Sequence, residues 1–208
     1  MKSKLFSFMC VIGALAFLLV SCEDNPEGNR AVVTVASFND NAPFFCDVLE
    51  QGDSLFDQAG NAVLRDDFIA EDYLKVAFYN RPYNSFIVSP PGYPYGEYLI
   101  TRYRVEWARV DGGVQVPPPY DGATSISIPS GELVEGYILL VPFMVKELPF
   151  IWTLRYVQAG GTGGEILCVA NITFWGHEVG TDRETEVIGS LSVNFADWVI
   201  ETKKKKQL

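Results

Sequence analysis

Apolar side chains recur in this chain with a period of two residues, and that period decides most of what it can fold into. Across residues 97–110, Tyr103, Val105 and Trp107 fall on one side while Arg102, Arg104 and Glu106 fall on the other. That is a β-strand with one face buried and one in water. Asp111-Gly112-Gly113 then supplies a turn. The same alternation is read in residues 31–38 around Val33 and Val35, and in 73–80, where Leu74, Val76 and Phe78 oppose Lys75 and Tyr79. It returns in 125–129 with Ile126 and Ile128, in 165–176 with Cys168, Ala170, Ile172 and Phe174, and in 186–195 with Val187, Leu191, Val193 and Phe195. Residues 136–145 form a more continuous apolar run, as in a strand buried on both faces, and Pro142 inside it predicts an edge, a bulge or a strand end. Residues 148–157 allow a short helix with Pro149 in its first turn.

About seven or more short strands, turn signals between them and hardly any amphipathic helix predict an all-β fold, an antiparallel β-sandwich. The mid-chain strand carrying Tyr103 and Trp107, followed by Asp-Gly-Gly, resembles immunoglobulin-like and fibronectin-type sandwiches of bacterial surface proteins. The resemblance covers residues 31–198 and lacks the antibody-type cysteine framework. No internal repeat is visible, so 31–198 is read as one domain, with residues 39–72 as a long acidic excursion from the sandwich.

The N-terminus has a different character. Lys2 and Lys4 precede an apolar run from Leu5 to Val20, the layout of a secretory signal, and the run is short for a permanent membrane span. Leu19-Val20-Ser21-Cys22 resembles the bacterial lipobox. That resemblance implies a signal peptide over residues 1–21, lipidation of Cys22, a polar tether over 22–30 and a protein held on a membrane by its acyl chains. Glu23 and Asp24 directly after the cysteine resemble the export signal of surface lipoproteins in the Bacteroidetes, which places the protein in the bacterial cell envelope, at the outer membrane or cell surface. An ordinary secretory cut near Ser21 is the plainer alternative.

Loss of residues 1–21 takes the formal charge from −10 to −12, because Lys2 and Lys4 leave with them. Such a surface repels phosphate backbones and excludes nucleic acid as a natural partner. The one basic run, Lys203 to Lys206, lies in a C-terminal tail, residues 199–208. Of four cysteines, Cys10 leaves with the signal and Cys22 is assigned to the anchor. Cys46 and Cys168 then either form a disulfide, which an envelope compartment permits, or stand as separate buried thiols.

Catalytic signals are sparse. His177 is the single histidine and no nucleophile turn accompanies it, so no triad is indicated. No second ligand set suggests zinc, and Gly160 to Gly164 lacks the lysine of a phosphate loop. Asp66, Asp67, Glu71 and Asp72 would be the carboxylates of an acidic-pair hydrolase, the most distant of the alternatives, in surroundings that give no reason for a raised pKa. Asp40, Asn41, Asp53 and Asp57 are oxygen donors without the spacing of a calcium loop. No cofactor and no metal site is read from the sequence, and the protein is not expected to be an enzyme.

The feature that points to binding is aromatic. Tyr83, Phe86, Tyr93, Tyr95 and Tyr98 are interleaved with prolines between residues 81 and 98, and Tyr120 follows three prolines in a second stretch. Rings held by prolines present rigid faces for a protein or a glycan. The sequence therefore leads to an anchored, non-catalytic binding module. A structural or assembly lipoprotein working through sheet edges is the alternative.

Overall fold

The computed structural model describes residues 31–50, 54–56, 62–64, 68–82, 96–156, 160–181 and 183–198. The fold is all-β, with eight strands in two facing sheets. β1 (Ala31–Phe38), β5 (Asp72–Pro82) and β8 (Leu133–Val141) form a three-stranded sheet in the order β1-β5-β8. β2 (Phe44–Asp47), β10 (Glu184–Ala196), β9 (Glu165–Glu178), β6 (Tyr98–Arg109) and β7 (Tyr120–Ile128) form the five-stranded sheet in the order β2-β10-β9-β6-β7. β3 (Ser54–Phe56) and β4 (Ala62–Leu64) pair as a separate two-stranded ribbon. Each sheet brings together strands that are distant in the chain, with connections that cross from one sheet to the other. Strand order of this kind carries no function by itself.

The alternation read from the sequence is the alternation that packs. Leu74, Val76 and Phe78 of β5 face Ile172 and Phe174 of β9, with Val105 and Phe195 in the same core, all of them fully buried. Phe174 lies at its centre: Phe78 meets it edge-on at 4.9 Å, Phe38 stacks at 6.3 Å, and Tyr103 is tilted against it at 6.1 Å. Burying one such ring stabilises by about 1.5–3 kcal/mol, and the edge-on pair adds about 0.5–1.5 kcal/mol. Two hydroxyls then tie the sheets together. Tyr103 donates to the Leu139 carbonyl at 3.0 Å and Tyr120 to those of Leu139 and Leu140, so β6 and β7 are bonded across the core to β8. Gly122, paired with Tyr103, leaves room for that ring; a Cβ there would stand 2.2 Å from it.

Several expectations change. Residues 39–72 are more than an excursion, because β2 lies within them and joins the five-stranded sheet parallel to β10. The sandwich is therefore antiparallel in every strand pair but this one. Residues 136–145 divide at Pro142: β8 ends at Val141 and a one-turn helix, α1 (Phe143–Lys146), follows, since proline has no N–H to extend the ladder. A second turn, α2 (Pro149–Trp152), starts on Pro149 as expected and is shorter than residues 148–157. Cys46 and Cys168 do not form a disulfide. Cys46 pairs with Phe195 and Cys168 with Val193, both on β10, so two strand spacings of about 10 Å separate the cysteine strands. A disulfide needs Cα atoms within about 7 Å.

One ion pair is largely enclosed. Lys146, at the end of α1, has no exposed surface; its Nζ donates to the Asp47 carbonyl at 2.5 Å and lies 3.0 Å from Asp72 Oδ2. It thereby joins α1 to β2 and β5. Removing one partner of such a pair leaves the other charge buried, which costs about 3–5 kcal/mol, whereas replacing both with apolar groups is close to neutral. Lys146→Met should therefore lower the urea midpoint strongly and Lys146→Met/Asp72→Leu should recover most of the loss. A second prediction concerns the thiols. Burial pushes Cys46 well up and Cys168 up to about 11. Titration of residues 22–208 carrying Cys22→Ala with a thiol reagent should find almost no reactive thiol in the native state and two after unfolding in urea.

Candidate functional site

Of the six aromatic residues assigned to ligand contact, Tyr83, Phe86, Tyr93 and Tyr95 lie outside the described residues, as does Cys22. Tyr98 and Tyr120 belong to the structure and not to an exposed binding face. Tyr98 is buried in β6 with its hydroxyl on Thr185, 2.5 Å from Oγ1. Tyr120 is spent on the carbonyls of β8. The described residues on either side of the stretch carrying the other four are joined to one another and to the core. Asn80, fully buried, donates from Nδ2 to the carbonyls of Gly96 at 2.6 Å and Ile128 at 2.8 Å, and the buried Glu178 carboxylate accepts the Gly96 N–H at 3.1 Å. Neither Asn80 nor Glu178 stood out in the sequence.

The structure brings a different set of rings together. On the outer face of the three-stranded sheet Tyr137 is 66% exposed, Tyr73 57%, Leu133 57% and Tyr79 38%. Tyr73 pairs with Leu139 and Lys75 with Tyr137, so Tyr73 and Tyr137 are diagonal neighbours about 7–8 Å apart. Tyr79, opposite Leu133, lies six residues along β5, about 20 Å from Tyr73. Polar groups are set among the rings. Lys75 Nζ lies between Asp40 at 3.0 Å and Glu135 at 2.9 Å, and the Tyr73 hydroxyl donates to Glu71 Oε2 at 3.2 Å, which pushes Tyr73 up. The face is thus a row of rings flanked by hydrogen-bonding charges.

The outer face of the five-stranded sheet is occupied by its own contacts. Arg102 lies 4.2 Å from the centre of the Trp175 ring and binds Glu184 through both Nε and Nη2, at 3.1 and 2.7 Å, while Trp175 Nε1 donates to Glu186 at 2.9 Å. Arg102 therefore covers the Trp175 ring, while Phe45 of β2 on the same face packs edge-on against Trp198 at 5.3 Å.

The acidic candidates do not converge. Asp72 turns inward to Lys146, Glu71 takes the Tyr73 hydroxyl at the surface, and Asp66 and Asp67 lie outside the described residues. Asp40 serves Lys75, and Asp53 and Asp57 lie outside the described residues. Among the described residues no group of three or more His, Cys, Asp or Glu is placed to hold a metal, and no helix is long and apolar enough to cross a membrane. His177 stands near the end of β9 between Leu99 and Glu184.

A groove of about 400 Å³ runs along the side of the sandwich between β1 and β10, with Phe38 and Gly189 in its lining. It opens where the chain leaves the three-stranded sheet for β2 through Asn39, Asp40 and Asn41, which all adopt positive φ of 45°, 53° and 66°. Asn and Asp tolerate that region better than other side chains. Gly189 makes space for Phe38; a Cβ there would stand 2.5 Å from the ring.

Among the described residues one carboxylate is pushed above its ordinary range. Burial pushes Asp47 up from 3.8 to about 6, against two opposing backbone N–H donors, Leu49 and Trp198. Because the folded protein keeps this proton to higher pH than the unfolded chain, the associated stability is present below about pH 4 and is lost as pH rises from about 4 to 6. Urea midpoints measured across that window should show the wild type falling relative to Asp47→Asn as pH increases, with the difference constant above it.

No family model, curated protein or solved structure matches this chain.

Proposed function

We propose that the protein is a lipid-anchored lipoprotein of the bacterial envelope or cell surface, acting as a non-catalytic binding module, and that its ligand is a glycan. The observation that carries the ligand is the exposed row of Tyr73, Tyr137 and Tyr79 on one flat sheet face. Sugar rings stack their apolar faces on aromatic rings and need donors and acceptors beside them. Lys75, Glu135, Asp40 and Glu71 stand in those places. The face is about 20 Å long by the rise of β5, enough for several sugar units in line. Tyr79 also precedes Tyr83 of the proline-rich segment by only four residues, so the two aromatic groups are close in the chain. The anchor rests on the Leu19-Val20-Ser21-Cys22 resemblance.

A second reading, an assembly lipoprotein that works through its sheet edges, is favoured by the groove between β1 and β10.

Two measurements test the proposal. Intact mass and detergent partitioning of the protein from its native membrane should show acyl chains on Cys22, with both the mass increment and membrane association lost in Cys22→Ala. Calorimetric titration with a panel of neutral and acidic polysaccharides should identify a ligand for the wild type, and Tyr73→Ala and Tyr137→Ala should each weaken it about fivefold, equivalent to about 1 kcal/mol per ring. Binding unaffected by either substitution would remove the tyrosine face from the reading.

A further inference from the structure

We propose that the open side of the sandwich, along β1 and β10, is an interface at which a second copy of this chain docks edge to edge. Among the described residues β1 is bonded only to β5. In β10, residues 184–192 are bonded among the described residues only to β9, because β2 reaches no further than Val193. Two strand edges therefore lie side by side with unpaired backbone, and the 400 Å³ groove runs between them.

Natural sheet edges are protected from pairing by charges, prolines or bulges. The other edge strands carry such charges: Asp47 in β2, Asp121 in β7 and Glu135 in β8. β1, with the sequence AVVTVASF, has no charge and no proline, and is protected only by a bulge between Val35 and Ser37. The groove lining is likewise without a single charged side chain, although the chain carries a formal charge of −10. Ile188, in the middle of the β10 edge, is 67% exposed.

The charge distribution selects the occupant. Two copies of so acidic a protein repel wherever their carboxylates meet, and this side lets them approach with neutral surfaces opposed. Of the two acids on the open stretch of β10, Glu184 is held by Arg102 and Glu186 accepts from Trp175 Nε1. A two-fold axis beside the groove makes the same patch serve both partners, which is the commonest way soluble chains pair. Both sheets then extend from one copy to the next, with backbone groups of the edges paired and Ile188 covered.

Sedimentation of the mature Cys22→Ala chain, residues 22–208, across about 1–100 µM tests this. A monomer–dimer equilibrium that strengthens with added salt is expected, since salt screens the repulsion of the acidic bodies. Thr34→Lys and Ser190→Lys, both at exposed edge positions, should each weaken the dimer about tenfold or more, while circular dichroism and thermal unfolding stay as in the wild type. A chain that stays monomeric throughout the range overturns the proposal. So does a dimer indifferent to both substitutions, or one that forms only after residues 22–30 are removed, which would assign the groove to the chain's own tether. Ser190, on the five-stranded sheet, lies away from the tyrosine face, whereas Thr34 pairs with Tyr79, so polysaccharide binding by Ser190→Lys separates failure here from failure of the glycan reading.

Discussion

Two sheets hold together only where their inward side chains interlock, and in this protein the interlock converges on the ring of Phe174. Phe38 and Phe78 come to it from β1 and β5, and Tyr103 from its own sheet. Around this apolar centre the polar groups of the core do directional work that burial alone cannot. The hydroxyls of Tyr103 and Tyr120 fix the relative position of the sheets by bonding to β8 carbonyls. Lys146 fixes the lower end by joining α1, β2 and β5, and Asn80 fixes the upper end by joining β5 to Gly96 and Ile128. Hydrophobic area is non-directional, so these bonds are what turn a stack of two sheets into one arrangement.

Six of the eight sandwich strands were legible as alternation, and β8 as a continuous apolar run, because burial of one face imposes period two on the sequence. β2 was not legible: Phe44-Phe45-Cys46-Asp47 is too short to show a period, and what places it is the bare edge of β10. Tyr98 groups with the proline-rich segment for a related reason. Tyr98 and Ile100 point inward, as do Tyr103 and Val105, although the first two are even-numbered and the second two odd. The bulge between Ile100 and Arg102 inserts one residue and reverses the phase. Without that bulge on view, Tyr98 reads as part of the proline-rich segment before the strand. The opposite error hid Tyr73, Tyr79 and Tyr137. They occupy the water-facing positions of β5 and β8, where a single sequence suggests only a tolerated tyrosine, and their alignment depends on a cross-strand register that periodicity does not contain.

Asn80 and Lys146 show a further limit. Each is a polar side chain inside a mainly apolar stretch, and sequence reasoning assigns such residues to the surface because unpaired burial is costly. Their partners are the carbonyls of Gly96, Ile128 and Asp47 and the carboxylate of Asp72, all distant in the chain. What licenses the burial is therefore invisible until the fold is assembled.

The direction of the strands also bears on how an anchored protein would stand. Ala31 pairs with Pro82, so the chain enters the sandwich at the pole where Asn80, Gly96 and Glu178 lie. It leaves from the other pole, where Ala196 pairs with Glu165 and Trp198 meets Asp47. A tether of residues 22–30 spans at most about 30 Å, and the thirteen residues of β10 rise about 40 Å. The last described residue, Trp198, thus lies at the pole farthest from the proposed anchor. The tyrosine face and the open β1/β10 side run lengthwise between the poles. On a membrane both would project sideways, one toward ligands in the surrounding layer and the other toward neighbouring copies. Confinement to a surface raises the effective concentration of such neighbours without any new contact. An edge that pairs weakly in solution would then pair far more readily where the chain is anchored.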